Sequence, residues 1–355
     1  MVCEATAEGG EEAGGPGKDC ADTRSWGAND REGSVPLPYA DSMSPAASAD
    51  ASGPPPHEGA MHSAPQGPGR GHGRGQGRRA GARGAAAGRE VLANPASTRV
   101  SRVAGLARKN MRARYRRFLV EGPQAVREAV RHASDRVLDV YITEASQDRY
   151  SEIWEEALAA GLYSHLVSER VMAAMSTGSQ GVLAVVAMDE STGSEALTSA
   201  LEGAALVAVL TEAQDPGNAG AMIRAADAAG ADAVVLVRGS VDATSPKVVR
   251  STAGSLFHLP VVTDAALDDV VAALHGAGMT VLAADARGDL DLFGAESLLE
   301  APTAWLLGNE AHGLSPEALS RADAVVSIPV YGRAESLNVA TAAAVCLYAS
   351  ARAQR

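Results

Sequence analysis

The sequence predicts an α/β protein whose C-terminal part is built on a mostly parallel sheet. Two observations support this fold class. Apolar segments of strand length alternate with segments of helical period. The C-terminal strands are almost continuously apolar, which is typical of strands covered on both faces. A small α/β domain and a tail precede that part. The predicted bounds are 1–95 for the tail, 96–190 for the small domain, 191–203 for a linker and 204–355 for the C-terminal domain.

The tail is rich in Gly, Ala, Pro and Ser and has few large apolar residues. Such a segment cannot bury enough apolar surface to offset the entropy lost on ordering, so we predict disorder. Residues 67–84 form an Arg/Gly tract. This tract has two interpretations: a weak contact with RNA that is indifferent to base sequence, or a solvated tail.

In the small domain, order is expected to begin near Ser97. Apolar runs predict three strands, at 118–120, 137–143 and 181–187. Helical patterns predict a basic helix from Arg99, a helix from Pro123, and helices at 154–162 and 168–176.

The C-terminal domain alternates more plainly. Its predicted strands are 206–210, 233–237, 259–262, 280–284, 303–307 and 324–328. Its predicted helices are 219–229, 246–254, 265–277, 315–321 and 337–352. Ligands bind beyond the carboxyl ends of the strands in such sheets, so the loops after 210, 307 and 328 are the predicted site.

Charge divides the chain into a basic and an acidic part, although the formal net charge is −12. Residues 99–136 contain eleven Arg or Lys against three acids, whereas residues 201–355 contain nine against eighteen. This asymmetry favours one part that binds a polyanion and another with a different task. The densest basic residues form either a phosphate-binding surface or a solvated helix face: Arg108, Lys109, Arg112, Arg114, Arg116 and Arg117.

The three cysteines are Cys3, Cys20 and Cys346, and no CxxC or Cys/His spacing occurs. The cysteines therefore support neither a disulfide framework nor a zinc site, and Cys346 is interpreted as a buried small hydrophobe. No run of eighteen apolar residues and no signal pattern occur, which predicts a cytoplasmic protein without a membrane partner.

The first informative loop opens with Asp215-Pro216-Gly217, a turn sequence. Asn218 is predicted to cap the following helix, and Gly220 allows close approach of backbone or ligand. Arg224 is either a surface arginine with an acidic neighbour or a functional group reaching out from a tightly packed helix.

The second loop contains Gly308, Glu310 and Gly313. This spacing lacks the GxGxxG pattern and the GK[ST] phosphate loop, which counts against a Rossmann-like dehydrogenase or nucleotide-binding protein. Glu310 is compatible with an ordinary surface acid as well as with a functional one.

The third loop contains Gly332 and Arg333, followed by Ser336, Leu337 and Asn338 at the start of an alanine-rich helix. Ser336 is predicted to be the N-cap. Asn338 would then lie just inside the helix, where Asn is unfavourable, and its amide would be available to a ligand.

Taken together, the loops resemble one family. N-x-G-x-x-x-R from Asn218, G-x-E-x-x-G-L from Gly308 and I-P-x-x-G-x-x-x-S-L-N-V from Ile328 are similar to the three motifs of the SpoU/TrmH RNA 2'-O-ribose methyltransferases of the SPOUT superfamily. Residues 248–261 also resemble the family, and 97–190 resembles its L30e-like RNA-binding extension. Ala340 departs from the pattern, since many members carry Ser there.

The resemblance implies a deep trefoil knot, a homodimer and S-adenosyl-L-methionine as cofactor, with no metal. It implies cofactor contacts from Gly308, Ile328, Leu337, Gly313, Leu307 and Gly332. Catalytic roles fall on Arg224, Asn218, Glu310, Ser336 and Asn338. Arg224 either takes the 2'-hydroxyl proton or binds phosphate and orients the hydroxyl, and Glu310 orients Arg224 or the loops.

The predicted substrate is RNA, with 23S rRNA favoured because the extension resembles those of rRNA-modifying members. The predicted RNA-binding residues are the six basic residues above together with Arg250. Two alternatives stay open: a tRNA 2'-O-methyltransferase, and a non-catalytic RNA-binding protein that retains the fold.

Overall fold

A computed structural model of the chain describes residues 88–189, 193–309 and 311–355. The Arg/Gly tract, Cys3, Cys20 and Glu310 lie outside the described residues. Two sheets are present in the described part, one of five strands and one of seven. Within that part, no helix has the length and apolar character needed to cross a membrane.

The N-terminal domain contains five strands and six helices in the described residues. The strands are β1 (Gly88–Leu92), β2 (Arg117–Glu121), β3 (Val137–Thr143), β4 (Tyr163–Val167) and β5 (Val182–Ala187). The helices are α1 (Thr98–Gly105), α2 (Lys109–Tyr115), α3 (Pro123–His132), α4 (Glu144–Arg149), α5 (Ser151–Ala159) and α6 (Glu169–Met175). The strand order is β1-β4-β3-β5-β2, with β5 antiparallel to both of its neighbours.

The prediction of β3 is confirmed at both ends, but two strands were missed. β1 precedes the expected beginning of order near Ser97 and pairs with β4, whose sequence YSHLV is short and mixed in polarity. The predicted basic helix is two helices. The chain turns between them because Leu106 packs into the core beside α1. Arg116 ends α2 in a left-handed conformation with a φ of 52°.

The C-terminal domain contains seven strands and seven α-helices in the described residues. The strands are β6 (Leu206–Leu210), β7 (Ala233–Val237), β8 (Val261–Ala265), β9 (Thr280–Ala284), β10 (Leu290–Asp291), β11 (Thr303–Leu307) and β12 (Ala324–Ser327). The helices are α7 (Ser194–Leu201), α8 (Pro216–Ala229), α9 (Pro246–Ser251), α10 (Leu267–Gly276), α11 (Glu296–Leu299), α12 (Pro316–Arg321) and α13 (Val339–Ala353). Short 3-10 turns lie at Ser255–Phe257 and Leu292–Gly294.

All pairings described in this second sheet are parallel, in the order β10-β12-β9-β11-β6-β7-β8. The predicted bounds of β6, β7, β9 and β11 are confirmed. β8 begins later than predicted, and the two-residue strand β10 was missed because it carries no hydrophobic pattern.

Helices cover both faces of the parallel sheet. α8 and α13 pack on one face, where Cys346 is fully buried as predicted and its burial raises the pKa of its thiol to about 12. α10 and α12 pack on the other face together with α7. α7 lies in the predicted linker, but Leu197 and Leu201 are buried in this core, so that segment is part of the domain.

The two domains share a joint of apolar and charged contacts. Val249 and Phe257 of the C-terminal domain are buried in the N-terminal core. Arg112 donates to Asp242 Oδ2 at 2.6 Å, and Arg250 pairs with the buried carboxylate of Glu121. Since buried charges are costly without partners, these pairs fix which surfaces meet.

Candidate active site and RNA-binding surface

The three predicted loops meet at the carboxyl edge of the parallel sheet. β6 lies beside β11, and β9 lies between β11 and β12. The Leu307 carbonyl accepts from both the backbone N–H, at 2.9 Å, and the hydroxyl, at 3.0 Å, of Thr211. Asn309 Nδ2 donates to the Glu212 carbonyl at 2.9 Å. The expectation that these loops are neighbours is therefore confirmed for the first two.

The second loop needs its glycines for its own folding. Asn309 and Gly313 exchange two backbone hydrogen bonds of 2.9 Å, which closes the loop. A Cβ on Gly308 would lie 2.4 Å from the Gly313 carbonyl carbon, closer than real Cβ atoms approach backbone. Gly313 has a φ of +69°, a conformation that favours glycine. The tight closure places Leu314 in the core.

The third loop corrects two predictions. Ser336 is not the N-cap of α13 and Asn338 is not inside the helix; Asn338 itself is the N-cap. Its Oδ1 accepts from the backbone of Ala340 at 2.9 Å and of Thr341 at 3.3 Å. Its Nδ2 donates to Asn218 Oδ1 at 3.2 Å, which joins the first and third motifs. An amide fits this position because it accepts and donates at once.

Asn218 is also placed differently from its prediction. Asp215 is the N-cap of α8, and the Asn218 backbone N–H donates to Asp215 Oδ1 at 2.8 Å, which is the main cause that lowers the pKa of Asp215. Gly220 allows the close approach that was predicted, because a Cβ there would lie 2.6 Å from Ser251 Cβ and 2.8 Å from the Val248 carbonyl oxygen. α8 and α9 are thereby in direct contact.

The segment from Val330 to Leu337 is exposed. Its backbone groups make no hydrogen bond with other described residues. Tyr331 is 88% exposed and Leu337 39% exposed, while Ile328 is half-buried against the core. A Cβ on Gly332 would meet nothing within 4 Å. This segment presents free backbone groups and apolar side chains to a ligand or a partner.

Arg224 is exposed on α8 and has no polar partner among the described residues. It lines a depression of about 240 Å³ together with Gln124, Glu128, Asp227 and His258. In the described part of the chain, no hydrogen bond or ion pair joins Arg224 to the second or third loop. The single chain therefore brings Asn218 and Asn338 together but leaves Arg224 beside the N-terminal domain.

One loop at the same edge was missed. Asp285 follows β9, which lies between β11 and β12. Arg287 donates to it three times, from its guanidinium at 2.8 and 3.0 Å and from its backbone N–H at 2.9 Å. Hydrogen bonding to Arg287 holds the pKa of Asp285 below its usual value. The sequence could have indicated this loop, because the predicted strand 280–284 ends at the same sheet edge as the three loops.

The basic residues of the N-terminal domain divide into two groups. Arg112 is 3% exposed and bonds to the carbonyls of Leu106 and Ala107 as well as to Asp242, so its prediction as an RNA contact is wrong. Arg250 is half exposed but pairs with Glu121. The exposed members of the predicted set are Arg108, Lys109, Arg114, Arg116 and Arg117.

Two further arginines were missed as site residues. Arg99 and Arg102 of α1 line a depression of about 440 Å³ with Arg114, Arg117 and Tyr115. Their spacing in the sequence gave no signal, because the turn between α1 and α2 folds the two helices around the same surface.

Comparison with known proteins matches the SpoU rRNA Methylase family to residues 205–348. A second family, RNA 2'-O ribose methyltransferase substrate binding, matches residues 119–192. The 23S rRNA (guanosine(2553)-2'-O)-methyltransferase RlmP of Bacillus subtilis is 34% identical over 242 residues, which are 68% of this chain and 90% of that protein. The chain belongs to the SpoU rRNA methylase family. Membership confirms the enzyme class and cofactor expected from the motifs, an RNA 2'-O-ribose methyltransferase that uses S-adenosylmethionine.

Solved structures agree with this membership. An AdoMet-bound rRNA methyltransferase from Sinorhizobium meliloti has a TM-score of 0.62 and 27% identity, covering 74% of this chain and 97% of that one. The SpoU methyltransferase AviRb from Streptomyces viridochromogenes, in complex with AdoMet, has a TM-score of 0.60 and 30% identity, covering 72% and 97%. The α/β fold is thereby confirmed, and the knot stays a prediction.

Proposed function

We propose that this SpoU-family enzyme methylates a ribose 2'-hydroxyl of 23S rRNA. The observation that carries the proposal is the meeting of the first and third motifs through Asn338 and Asn218 at the edge where the second loop closes. The relatives named as 23S rRNA methyltransferases, with RlmP among them, support the choice of RNA.

The second and third loops fit S-adenosylmethionine by their backbone. The unpaired groups of 330–337 offer donors and acceptors, and the open space at Gly332 permits close approach. Leu337 and the half-buried Ile328 supply apolar contacts, and Gly308, Gly313 and the buried Leu307 shape the second loop. The bound cofactor supplies an activated methyl group, so the protein's task is positioning.

Arg224 positions the nucleophile in this proposal. A guanidinium stays charged and presents donors in a fixed plane, which suits it to hold an RNA phosphate and orient the 2'-hydroxyl. When bound, the cofactor would supply the methyl group to the 2'-oxygen, and the hydroxyl proton would pass to solvent water; Arg224 would hold the hydroxyl in place for this transfer. Ser336 meets the RNA at the exposed end of the third loop. Glu310, outside the described residues, orients Arg224 or the loops.

A second copy of the chain completes the site. Among the described residues, Arg224 has no polar contact with its own second and third loops. Tyr331 and Leu337 of the third loop are exposed, and so is Tyr348 of α13. A homodimer that covers these side chains would bring Arg224 of one protomer to the cofactor of its partner. The exposed arginines of the N-terminal domain would then hold phosphates of the same RNA.

The test uses purified protein, tritiated S-adenosylmethionine and three RNA samples: unmodified 23S rRNA, 16S rRNA and total tRNA. Arg224→Ala is compared with Arg321→Ala, an exposed arginine on α12 that pairs with Asp268. We expect 2'-O-methyl label in 23S rRNA, a loss of roughly 100- to 10,000-fold in Arg224→Ala, and no loss in Arg321→Ala.

Label confined to tRNA would replace the substrate but keep the reaction. Cofactor binding without transfer to any sample would favour a non-catalytic RNA-binding protein. Equal activity of Arg224→Ala and wild type would remove Arg224 from the mechanism.

A further inference from the structure

Three side chains that can ligate a metal converge at the joint from both domains, beside the depression that contains Arg224. Glu128 and His132 lie four residues apart on α3, so they share one face of that helix. His258 lies after the 3-10 turn Ser255–Phe257 of the C-terminal domain. The ligand atoms of all three lie within 4.8 Å of one another.

Two of the three separations between ligand atoms match those of a tetrahedral metal centre. Glu128 Oε2 lies 3.4 Å from His132 Nε2 and 3.2 Å from His258 Nε2. Zinc bonds of about 2.0 Å to nitrogen and oxygen place neighbouring tetrahedral ligands about 3.3 Å apart. All three ligand atoms lie within 4.8 Å of one another, so one ion could contact them after the two histidines move closer together.

A fourth residue orients one of these ligands. Asp227 Oδ2 lies 2.8 Å from the other ring nitrogen of His258, Nδ1. A carboxylate that accepts from the distal ring nitrogen fixes the tautomer of a metal-bound histidine and makes it a stronger ligand. The three side chains and this carboxylate correspond in type to the ligands and outer partner of a histidine–carboxylate zinc site.

We propose that Glu128, His132 and His258 bind one zinc ion that fastens the N-terminal domain to the C-terminal domain. Three protein ligands leave a fourth position open. Glu128 and His258 line the depression that also contains Arg224, which leaves room there for water or an RNA phosphate oxygen.

The site has a consequence for the active-site arginine. Asp227 lies three residues after Arg224 on α8, so both side chains are on the same part of that helix. An ion held through His258 and Asp227 would fix this turn of α8 against α3. It would set the position of Arg224 without taking part in methyl transfer.

The test is metal binding by the full chain after chelation and dialysis. Titration with Zn²⁺ is followed by calorimetry, and titration with Co²⁺ by visible absorption, for wild type and His132→Ala. His132 is exposed, so its replacement should leave folding intact. The matched control is His275→Ala, another exposed histidine, which pairs with Asp323.

We expect wild type and His275→Ala each to bind one additional ion with high affinity, which His132→Ala does not bind. The cobalt spectrum lost with His132 should be tetrahedral and free of a thiolate charge-transfer band, which separates this site from any binding by Cys3 or Cys20. Asp227→Asn should weaken affinity roughly 10- to 100-fold. Equal stoichiometry and affinity in wild type and His132→Ala would overturn the proposal.

Discussion

The domain joint and the carboxyl edge of the parallel sheet differ in how completely the chain itself satisfies them. At the joint, Arg112 is buried with partners on both sides, and Arg250 meets a buried Glu121. At the sheet edge, residues 330–337 leave their backbone groups unpaired among the described residues, and Tyr331 is 88% exposed.

This difference distinguishes residues that maintain the fold from residues that are available to bind a ligand. A buried polar group without a partner is costly, so the pairs at the joint are needed in the free protein. Exposed unpaired groups cost little in water and are available to cofactor, RNA or a second copy. Substitutions at the joint should therefore lower stability, and substitutions at the edge should lower binding.

The largest expected loss of stability is at the joint. Arg112→Ala leaves Asp242 without its guanidinium partner and should lower the free energy of unfolding by roughly 3 kcal/mol, measured by urea denaturation. Arg114→Ala, an exposed arginine on the same helix, is the control. It should keep wild-type stability and weaken RNA binding; equal stability of the two variants would contradict the role assigned to Arg112.

A glycine pair tests the sheet edge. Gly308→Ala forces a Cβ against the backbone of Gly313 and Leu314 and should cost about 1–3 kcal/mol of stability, together with more than tenfold in cofactor affinity. Gly332→Ala meets nothing in the free chain, so it should keep stability and lose only cofactor affinity. Thermal unfolding and calorimetry with S-adenosylmethionine separate the two effects, and a stable Gly308→Ala would show that the loop opens easily.

Asn338 combines both kinds of role. Asn338→Ala should lower stability by about 1 kcal/mol through loss of the N-cap of α13. Asn338→Asp keeps a capping oxygen but removes the Nδ2 donor to Asn218, so stability should be retained while methyl transfer falls. Wild-type activity in Asn338→Asp would mean that capping is the whole function of this residue.

The smallest effect is a pH dependence at the joint. Burial opposes ionisation of Asp242, but hydrogen bonds from Thr244 and Arg112 outweigh it and lower its pKa. Its contribution is therefore present above the unfolded value of about 3.9 and is lost as pH falls through the lower folded value. The stability advantage of wild type over Asp242→Asn should shrink below about pH 4, and an advantage that persists there would contradict this assignment.

The sequence by itself determined the parallel sheet and the place of the site. Continuous apolar runs gave the bounds of β6, β7, β9 and β11, because strands buried on both faces need apolar residues throughout. The three motifs by themselves indicated the family. The strands β1, β4 and β10 are short and mixed in polarity, so no apolar run predicted them. They form because neighbouring strands supply their hydrogen bonds.

Only the tertiary structure showed that residues of the same type, close together in sequence, have different roles. Arg112 and Arg114 are two positions apart, yet one is buried at the joint and the other exposed, because side chains two apart on a helix face different directions. Asn338, not Ser336, is the N-cap of α13, and its amide also donates to Asn218, 120 positions away in sequence. His258 meets Glu128 across 130 positions, and only packing of the two domains makes such neighbours.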